Sequence, residues 1–229
     1  MGARAATPQP AESEGDALAI EPFETQGERR RAQILAITAK IVVTVGPEAV
    51  SHATVAKQAG LVRSAVYRYF PTRDDLLAGL LTDYSKLHAD HISADDAAAG
   101  VRALAKASPK RIPPETRLLL EKLWDPEDWS PEVLELRLAI ITLQRDAELL
   151  ARLYAAHPEL ARQQTIELTE PLSQLGLDPL EIRIVVDAIL AALYHAVSAA
   201  LTGAIDRDQA MRLTYRLILA AIQAFATTR

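Results

Sequence analysis

Apolar residues recur at every third or fourth position along most of the chain, which is the spacing of amphipathic α-helices. The first such run predicts a helix from about residue 27 that ends at Gly46 and Pro47. Its repeating positions are Ile34, Leu35, Ile37, Thr38, Ile41, Val42 and Val45. No two segments show the alternating pattern of paired β-strands, so we predict an all-α protein.

Two short helical segments follow, over residues 52–59 and 63–70, and a three-residue segment that begins with Gly60 separates them. Two helices joined by a tight turn that contains glycine form a helix-turn-helix. Thr72 and Asp75 then have the spacing of a capping box, so a fourth helix is predicted to run from there to about residue 91.

The chain beyond residue 91 is also predicted to be helical, apart from an alanine-rich stretch with a weak pattern and a proline-containing loop over residues 108–114. The predicted helices cover residues 115–124, 131–144, 145–156, 158–175, 178–201 and 206–226. The last two are apolar on most sides. Residues 184–205 are long enough to span a membrane, but Asp187 and His195 are costly at bilayer depth, so we predict a buried helix of a soluble protein.

The composition is that of a protein with a sizeable core, since 49% of the 229 residues are hydrophobic and 24% are charged. The chain contains no cysteine, which excludes disulfides, thiolate zinc sites, iron–sulfur clusters and cysteine nucleophiles. No long apolar run follows a basic start near the first residue, so no secretory signal is predicted and we expect a cytoplasmic protein.

The charge is distributed unevenly along the chain, whose net charge is −5. Residues 1–27 contain one basic and five acidic residues and are predicted to form a disordered acidic extension. Residues 28–77 contain eight basic and four acidic residues, whereas residues 78–229 contain 16 basic and 21 acidic ones. This asymmetry indicates one surface that faces a polyanion, carried by the second of these segments.

The helix-turn-helix has the chemistry of a DNA-reading motif. Its small core is supplied by Val55, Ala56, Ala59, Leu61, Val66 and Phe70. One side of its second helix carries Arg63, Ser64, Tyr67 and Arg68. A helix that lies in the major groove carries its base-reading and phosphate-contacting side chains on such a side.

This segment resembles the DNA-binding domain of the TetR family of one-component bacterial transcriptional regulators. The resemblance is carried by residues 56–61 (AKQAGL), 66–70 (VYRYF) and 71–77 (PTRDDLL), in that order and spacing. Together with the preceding helix, it covers about 50 of the 229 residues. It implies a three-helix helix-turn-helix domain over residues 28–77 and a larger helical domain for ligand binding and dimerisation over residues 78–229.

The resemblance implies nine DNA-binding positions, which are Ser51, His52, Arg63, Ser64, Ala65, Tyr67, Arg68, Tyr69 and Arg73. The first two would contact phosphate, and the next three lie where the family reads bases, with Arg63 suited to a bidentate guanine contact. Arg68 would reach a base or the backbone, while the two tyrosines and Arg73 match positions that clamp phosphate or position the helix. For Tyr67, partial core packing is an equal alternative.

Two positions depart from the family's pattern, and one basic run has two interpretations. Val62 stands where a capping serine is common, and Ala65 replaces a common threonine, which limits base contact there to an apolar one such as a thymine methyl. The basic run consists of Arg29, Arg30 and Arg31. It either touches the DNA backbone or forms a solvated run of charge, and the acidic extension beside it favours the second interpretation.

The resemblance also implies a homodimer through the last two helices, which would present two recognition helices to a palindromic site on double-stranded DNA. A small-molecule effector would bind between the helices of the larger domain, in a mostly apolar pocket that favours a hydrophobic or amphipathic compound. The candidate lining residues are Trp124, Trp129, Arg137, Gln144, Tyr154, His157, Tyr194 and His195. No cofactor is expected.

The leading hypothesis is a dimeric repressor that a small effector releases from its operator. An activator or a ligand-independent regulator is the first alternative, and a helical small-molecule carrier without DNA binding is the second. An enzyme is not expected, since the sequence has no phosphate-binding glycine loop and no nucleophile elbow. Two histidines have a spacing that suits a metal, but we interpret them as solvated and expect no metal site. They are His88 and His91, near Asp90 and Asp95.

Overall fold

A computed structural model describes residues 25–89, 93–108, 110–126, 129–164 and 169–226. Within these ranges the chain forms twelve α-helices and one short 3₁₀ helix, and it contains no β-strand. The prediction of an all-α fold is confirmed. The predicted acidic extension lies almost entirely outside the described residues.

The first three helices are α1 (Gln26–Thr44), α2 (His52–Ala59) and α3 (Arg63–Tyr69), and a 3₁₀ turn (Pro47–Ala49) joins α1 to α2. A capping box starts α1: the Thr25 hydroxyl accepts the Glu28 N–H, and the Glu28 carboxylate accepts the Thr25 N–H. Gly60, with a φ of 67°, is the left-handed residue that ends α2. The helix-turn-helix therefore forms where the sequence predicted it.

The fourth helix, α4 (Arg73–Ala89), connects this helix-turn-helix unit to the rest of the chain. It starts at the predicted capping box, in which the Thr72 N–H donates to Asp75 at 2.7 Å and the Asp75 N–H donates to the Thr72 hydroxyl at 3.0 Å. A Cβ added at Gly79 would lie 2.7 Å from the Phe70 ring. The missing side chain at Gly79 therefore lets α4 pack closely against Phe70.

The fifth helix, α5 (Ala94–Ala105), occupies the alanine-rich stretch where the sequence predicted no helix. The Ser93 hydroxyl caps its first turn, and alanine has the highest helix propensity of all residues. Small residues also let α5 approach α6 (Pro114–Leu123), so that the Thr116 hydroxyl donates to the Gly100 carbonyl at 3.1 Å. The pattern was weak because this helix packs largely through small side chains.

Four helices form the middle of the body: α7 (Pro131–Gln144), α8 (Ala147–Ala156), α9 (Pro158–Gln164) and α10 (Glu170–Ser173). α8 starts two residues later than predicted, because the Asp146 carboxylate accepts the Leu149 N–H at 2.9 Å and caps the helix. The single helix predicted over residues 158–175 is described as α9 and α10, and residues 165–168 lie outside the described residues.

Two long helices, α11 (Pro179–Leu201) and α12 (Arg207–Ala226), close the fold and pack against each other. Both begin at the predicted aspartates, since Asp178 forms a capping box with Glu181 and Asp206 accepts a backbone N–H of α12. By length and composition α11 could cross a membrane. One such helix is weak evidence for a membrane span, because the core helix of a soluble protein has the same length and composition. It packs against α7 and α12, as the sequence-based prediction of a core helix expects.

The buried side chains form two clusters that meet at α7. The first core joins residues of α1 to α4 with Ala139, Ile140 and Leu143 of α7 and with residues of α8 and α9. The second core contains residues of α11 and α12 together with Leu138 and Ile141 of α7. Because apolar residues cover most sides of α7, both cores share this helix. The predicted domain boundary after residue 77 therefore does not separate two cores.

Candidate nucleic-acid interface and ligand cavity

The outer face of α3 is polar and lies above the first core. Val66 is fully buried and anchors the helix in that core. The exposed residues of the helix are Arg63, Ser64, Tyr67 and Arg68. α3 carries no acidic side chain, so its outer face offers only cationic and hydrogen-bonding groups. Such a face suits the base edges and phosphates of a DNA groove.

Ser51 and His52, at the start of α2, make contacts within the fold. The Ser51 hydroxyl accepts the Thr54 N–H at 3.1 Å and caps the helix. His52 is 7% exposed, and its Nε2 lies 2.7 Å from the Phe70 carbonyl oxygen. Its ring stacks on Tyr67, with centroids 3.8 Å apart and planes 10° from parallel. The His52 side chain thus holds α3 against α2, and its predicted phosphate contact stays a prediction.

Tyr67 both packs and remains accessible, since one ring face lies on His52 while 46% of the residue is exposed. Arg68 donates to the Tyr69 hydroxyl at 3.2 Å, and its guanidinium carbon lies 5.1 Å from the centroid of that ring. Ala65 is half-buried at the edge of the polar face. Arg63 makes no hydrogen bond or ion pair to a described residue, so its guanidinium is available to a ligand.

Arg73, at the start of α4, is anchored to the segment that joins α1 to α2. Its Nε donates to the Val50 carbonyl at 3.1 Å, and its Nη2 donates to the Pro47 carbonyl at 2.8 Å. Its guanidinium also pairs with Glu48 at 3.3 Å. Of the two roles that the resemblance implies for Arg73, these contacts favour positioning of the helix over clamping of phosphate.

The basic run at the start of α1 is partly used inside the fold. The Arg31 guanidinium carbon lies 5.3 Å from the centroid of the Phe70 ring, and Arg30 donates to the Gln33 side chain at 2.8 Å. Gln33 in turn donates to the Ala59 carbonyl at 3.2 Å. The run is therefore not a uniformly solvated charge. The sequence did not identify Gln33, whose amide links α1 to the end of α2.

This unit matches a known family. The family described as bacterial regulatory proteins, tetR family, matches residues 34–80, which run from α1 into α4. This segment, called the DNA-binding unit below, is therefore similar to the TetR family. The predicted resemblance is confirmed. The HTH-type transcriptional regulator PksA of Bacillus subtilis (strain 168) is 40% identical over 57 residues, a match that spans 25% of this chain and 28% of that regulator.

Three solved structures are similar to this chain over most of its length. A TetR-family transcriptional regulator from Mesorhizobium loti is 17% identical with a TM-score of 0.42, and the match covers 90% of this chain and 98% of that one. The fatty acid degradation regulator FadR from Bacillus halodurans is 15% identical with a TM-score of 0.48, covering 83% and 94%. A gamma-butyrolactone receptor described as ArpA-like is 18% identical with a TM-score of 0.39, covering 87% and 99%.

The body of the chain contains a cavity of about 660 Å³ between α7, α8 and α11. This volume is typical of a small-molecule site. The lining residues are Gln144, Arg145, Ala147, Leu150, Ala151, Tyr154, Thr169, Arg183, Val186, Asp187 and Leu190. The lining thus combines aliphatic side chains with three charged ones, which are Arg145, Arg183 and Asp187.

Two of the eight residues predicted for ligand contact, Gln144 and Tyr154, line this cavity. Tyr194 lies beside it, because the guanidinium carbon of the lining residue Arg145 is 4.9 Å from the centroid of its ring. His195 is exposed on α11. The charged lining residues were not predicted, since a charged residue on a helix gives no signal of which cavity it borders.

Trp124, Trp129 and Arg137 lie in or against the second core instead. Trp124 is fully buried, and its ring meets Trp129 edge-on with centroids 5.7 Å apart. Arg137 is 3% exposed, donates to the Leu123 carbonyl and lies 5.9 Å from the Trp124 ring centroid. Large aromatic side chains dominate cores as well as pockets, so residue type alone did not distinguish the two. The predicted ligand contacts of these three residues do not fit their positions.

α8 and its C-cap contact the start of α4. Arg152 forms a two-point ion pair with Asp74, with Nε to Oδ2 at 3.0 Å and Nη2 to Oδ1 at 3.3 Å. Its hydrogen bond to the Asp74 carboxylate raises the pKa of Arg152. His157 Nε2 lies 3.5 Å from Asp75 Oδ1. His157 was predicted as a ligand residue, but it belongs to this contact between the body and the DNA-binding unit.

Metal binding has no support in the described part of the chain, where no cluster of three or more His, Cys, Asp or Glu side chains suited to a metal ion is present. Asp90 and the side chains of His88 and His91 lie outside what the structure describes. The interpretation of this histidine pair as solvated therefore stays a prediction.

Proposed function

We propose that the chain is a homodimeric transcriptional repressor that binds a palindromic operator and leaves it when a small effector occupies the cavity. The observation that carries the proposal is the exposed polar face of α3, within the segment that matches the TetR family. Arg63 lies at the start of this face and suits a bidentate contact with guanine in the major groove. Because such a repressor acts on chromosomal DNA, we infer a cytoplasmic protein without enzymatic activity.

The outer surfaces of α11 and α12 support a dimer. Leu180 is 67% exposed, Ile184 is 44% exposed and Leu217 is 39% exposed. Large apolar side chains exposed on two neighbouring helices are typical of a surface that a second subunit covers. A symmetric pairing of these helices would form a four-helix interface. A palindromic operator would require this pairing to hold the two copies of α3 about 34–36 Å apart, which is one turn of DNA.

α8 supports a link between the cavity and the DNA-binding unit. Leu150 and Tyr154 of this helix line the cavity, and Arg152 on the same helix holds Asp74 at the start of α4. A ligand that shifts α8 therefore shifts α4, which follows directly on the helix-turn-helix. Release from DNA requires that the effector binds one of the two arrangements more tightly than the other.

A DNA titration tests the proposal. The protein is titrated against DNA from its own promoter region by fluorescence anisotropy, at two salt concentrations and with unrelated DNA of equal length as competitor. We expect competitor-resistant binding that weakens as salt rises, with two protomers or a multiple of two per site. Arg63→Ala should lower operator affinity by about 10- to 100-fold, because a bidentate base contact is worth about 1–3 kcal/mol.

Arg117→Ala is the matched control, since Arg117 is an exposed arginine on α6 outside the DNA-binding unit. Its operator affinity should equal that of the unchanged protein. If promoter DNA binds no better than the competitor, a selection from genomic DNA follows. Failure of that selection would contradict a DNA-binding regulator and would favour a helical carrier. Equal affinities of the Arg63 and Arg117 variants would contradict base reading by α3.

A further inference from the structure

The charges around the cavity indicate the class of its ligand. Arg145 follows α7 and Arg183 lies on α11, and both line the cavity together with Asp187. Among the described residues, no carboxylate is within ion-pair distance of either guanidinium. Arg145 is oriented by the Tyr194 ring, whose centroid is 4.9 Å from its guanidinium carbon. Two unpaired cations against one anion leave the lining with a net positive charge.

The aliphatic part of the lining lies between the two cores. Leu150 packs against the first core, whereas Leu190 is 3% exposed and belongs to the second. Val186 lies on α11 one turn before Leu190, and Ala147 and Ala151 leave space opposite them. An aliphatic chain placed along this wall would lose its contact with water, which favours binding.

We propose that the ligand is an amphipathic organic anion whose carboxylate is bound by Arg145 and Arg183 and whose aliphatic tail lies along Leu150, Val186 and Leu190. This inference rests on the proposed function, because it names the chemical class of its effector. Guanidinium groups bind carboxylates through charge-assisted, two-point hydrogen bonds. Asp187 repels further negative charge, so the lining favours a single charge over a polyanion such as a nucleotide.

Calorimetric titration of the DNA-free protein tests the ligand class. The probes are octanoate, decanoate and dodecanoate, compared with decanol and decyltrimethylammonium, all kept below the concentrations at which they form micelles. We expect at least one carboxylate to bind, at least about tenfold more tightly than the neutral and cationic probes of matched tail. Decanol binding as tightly as decanoate, or tightest binding of decyltrimethylammonium, would overturn the proposal. Absence of binding by all three carboxylates would overturn it too.

Substitutions test the two arginines. Arg145→Gln and Arg183→Gln should each weaken carboxylate binding by about tenfold, since each removes a charge-assisted contact. Arg117→Gln, on α6, should leave the affinity unchanged. Both lining arginines are exposed, so the variants should keep the unfolding midpoint of the unchanged protein, and this midpoint is measured for each. Full affinity in both lining variants would overturn the proposal.

The titration is independent of operator binding because no DNA is present. Carboxylate binding by a protein that binds no operator would support the ligand class and contradict the repressor. Operator binding by a protein that binds no carboxylate would support the repressor and overturn the ligand class. Where both occur, decanoate added to the operator complex should lower its anisotropy, and an unchanged anisotropy would overturn decanoate's role as an effector.

Discussion

In the DNA-binding unit four of the candidate contact residues are exposed on one short helix, α3. The cavity of the body is lined instead from three helices, and α11 is distant in the chain from α7 and α8. A protruding surface needs one helix of suitable composition and a core beneath it. A concave surface needs several helices, and their relative positions depend on how the whole body packs. A local motif therefore identifies the first kind of site far better than the second.

The two regions are nevertheless joined, because α7 contributes side chains to both cores. Ile140 of α7 is buried in the first core, and Ile141 beside it is buried in the second. The ion pair between Arg152 and Asp74 adds a polar contact between the body and α4. The difference between the regions thus concerns how their sites are built, and both regions share one packed structure.

Ile140→Ala should have the largest effect on stability. Ile140 is fully buried, and truncation of such a side chain costs about 2–5 kcal/mol through lost burial and the cavity that remains. The chain has two tryptophans, Trp124 and Trp129, and both lie in or against the second core. If the regions unfold together, the urea midpoint followed by tryptophan fluorescence will fall as far as the midpoint followed by far-UV circular dichroism.

Leu118→Ala is the control for this comparison, since Leu118 is 46% exposed and its truncation should change stability by less than about 0.5 kcal/mol. A fluorescence midpoint that stays unchanged in the Ile140 variant while the circular dichroism midpoint falls would show that the two regions unfold separately.

A pair of glycine substitutions compares packing in the two regions. The Cβ of Gly79→Ala would lie 2.7 Å from Phe70 Cε1 and 3.1 Å from Leu35 Cδ2, both in the first core. Such an overlap costs about 1–3 kcal/mol, against about 1 kcal/mol gained in helix propensity, so we expect a net loss of stability.

Gly100→Ala should be neutral or stabilising, because its Cβ would meet the terminal Cδ2 of Leu119 at 2.9 Å, and the end of this half-buried side chain can rotate away. Thermal unfolding of both variants measures the difference. A rise in the unfolding midpoint of both would refute the close packing of α4 against Phe70.

Loss of the Arg152 pair should affect DNA binding more than stability. The pair is partly exposed, so Arg152→Ala should leave the unfolding midpoint nearly unchanged. It should lower operator affinity a few-fold, because the DNA-binding unit is then held less firmly and more order must be gained on binding. The measurement is the anisotropy titration with Arg152→Ala, Asp74→Asn and the double variant.

If the double variant binds the operator as tightly as the single variant with the lower affinity, the two side chains act through their direct contact. Strictly additive losses would argue that Arg152 and Asp74 act independently.

The smallest expected effect concerns pH and the contact between α5 and α6. A hydrogen bond from the Lys122 ammonium, at 2.7 Å, and one from Ser93 hold the pKa of Asp96 below its ordinary value. The stabilisation is therefore present above the ordinary aspartate pKa of about 3.9 and is lost as the pH falls through the lower value of the folded protein. Asp96→Asn should lower the unfolding midpoint at pH 7, and this effect should shrink as the pH falls below the ordinary aspartate pKa.

Asp95→Asn is the matched control, since Asp95 is also in the first turn of α5 and makes no ion pair to a described residue. A pH dependence of the same size in both variants would show that the Lys122 contact is not its source.

Much of the fold was predictable because the signals that start and end helices are local. Thr72 with Asp75, and Asp178 with Glu181, are capping groups three residues apart, and they set the beginnings of α4 and α11. The exposed face of α3 was predictable for the same reason, since burial of Val66 orients the residues around it. α5 escaped this reasoning because alanines form much of its apolar face, and they stand out less in a sequence than large apolar side chains do.

Contacts between distant segments followed from packing of the whole chain and left no trace in local periodicity. The contact between His52 and the Phe70 carbonyl is one of these, and nothing in the sequence indicated that this predicted DNA contact also positions α3. The meeting of Arg145 with residues of α11 placed charged side chains in the cavity that the sequence did not identify. Helical spacing says which residues share one face, but it does not say which other helix that face will meet.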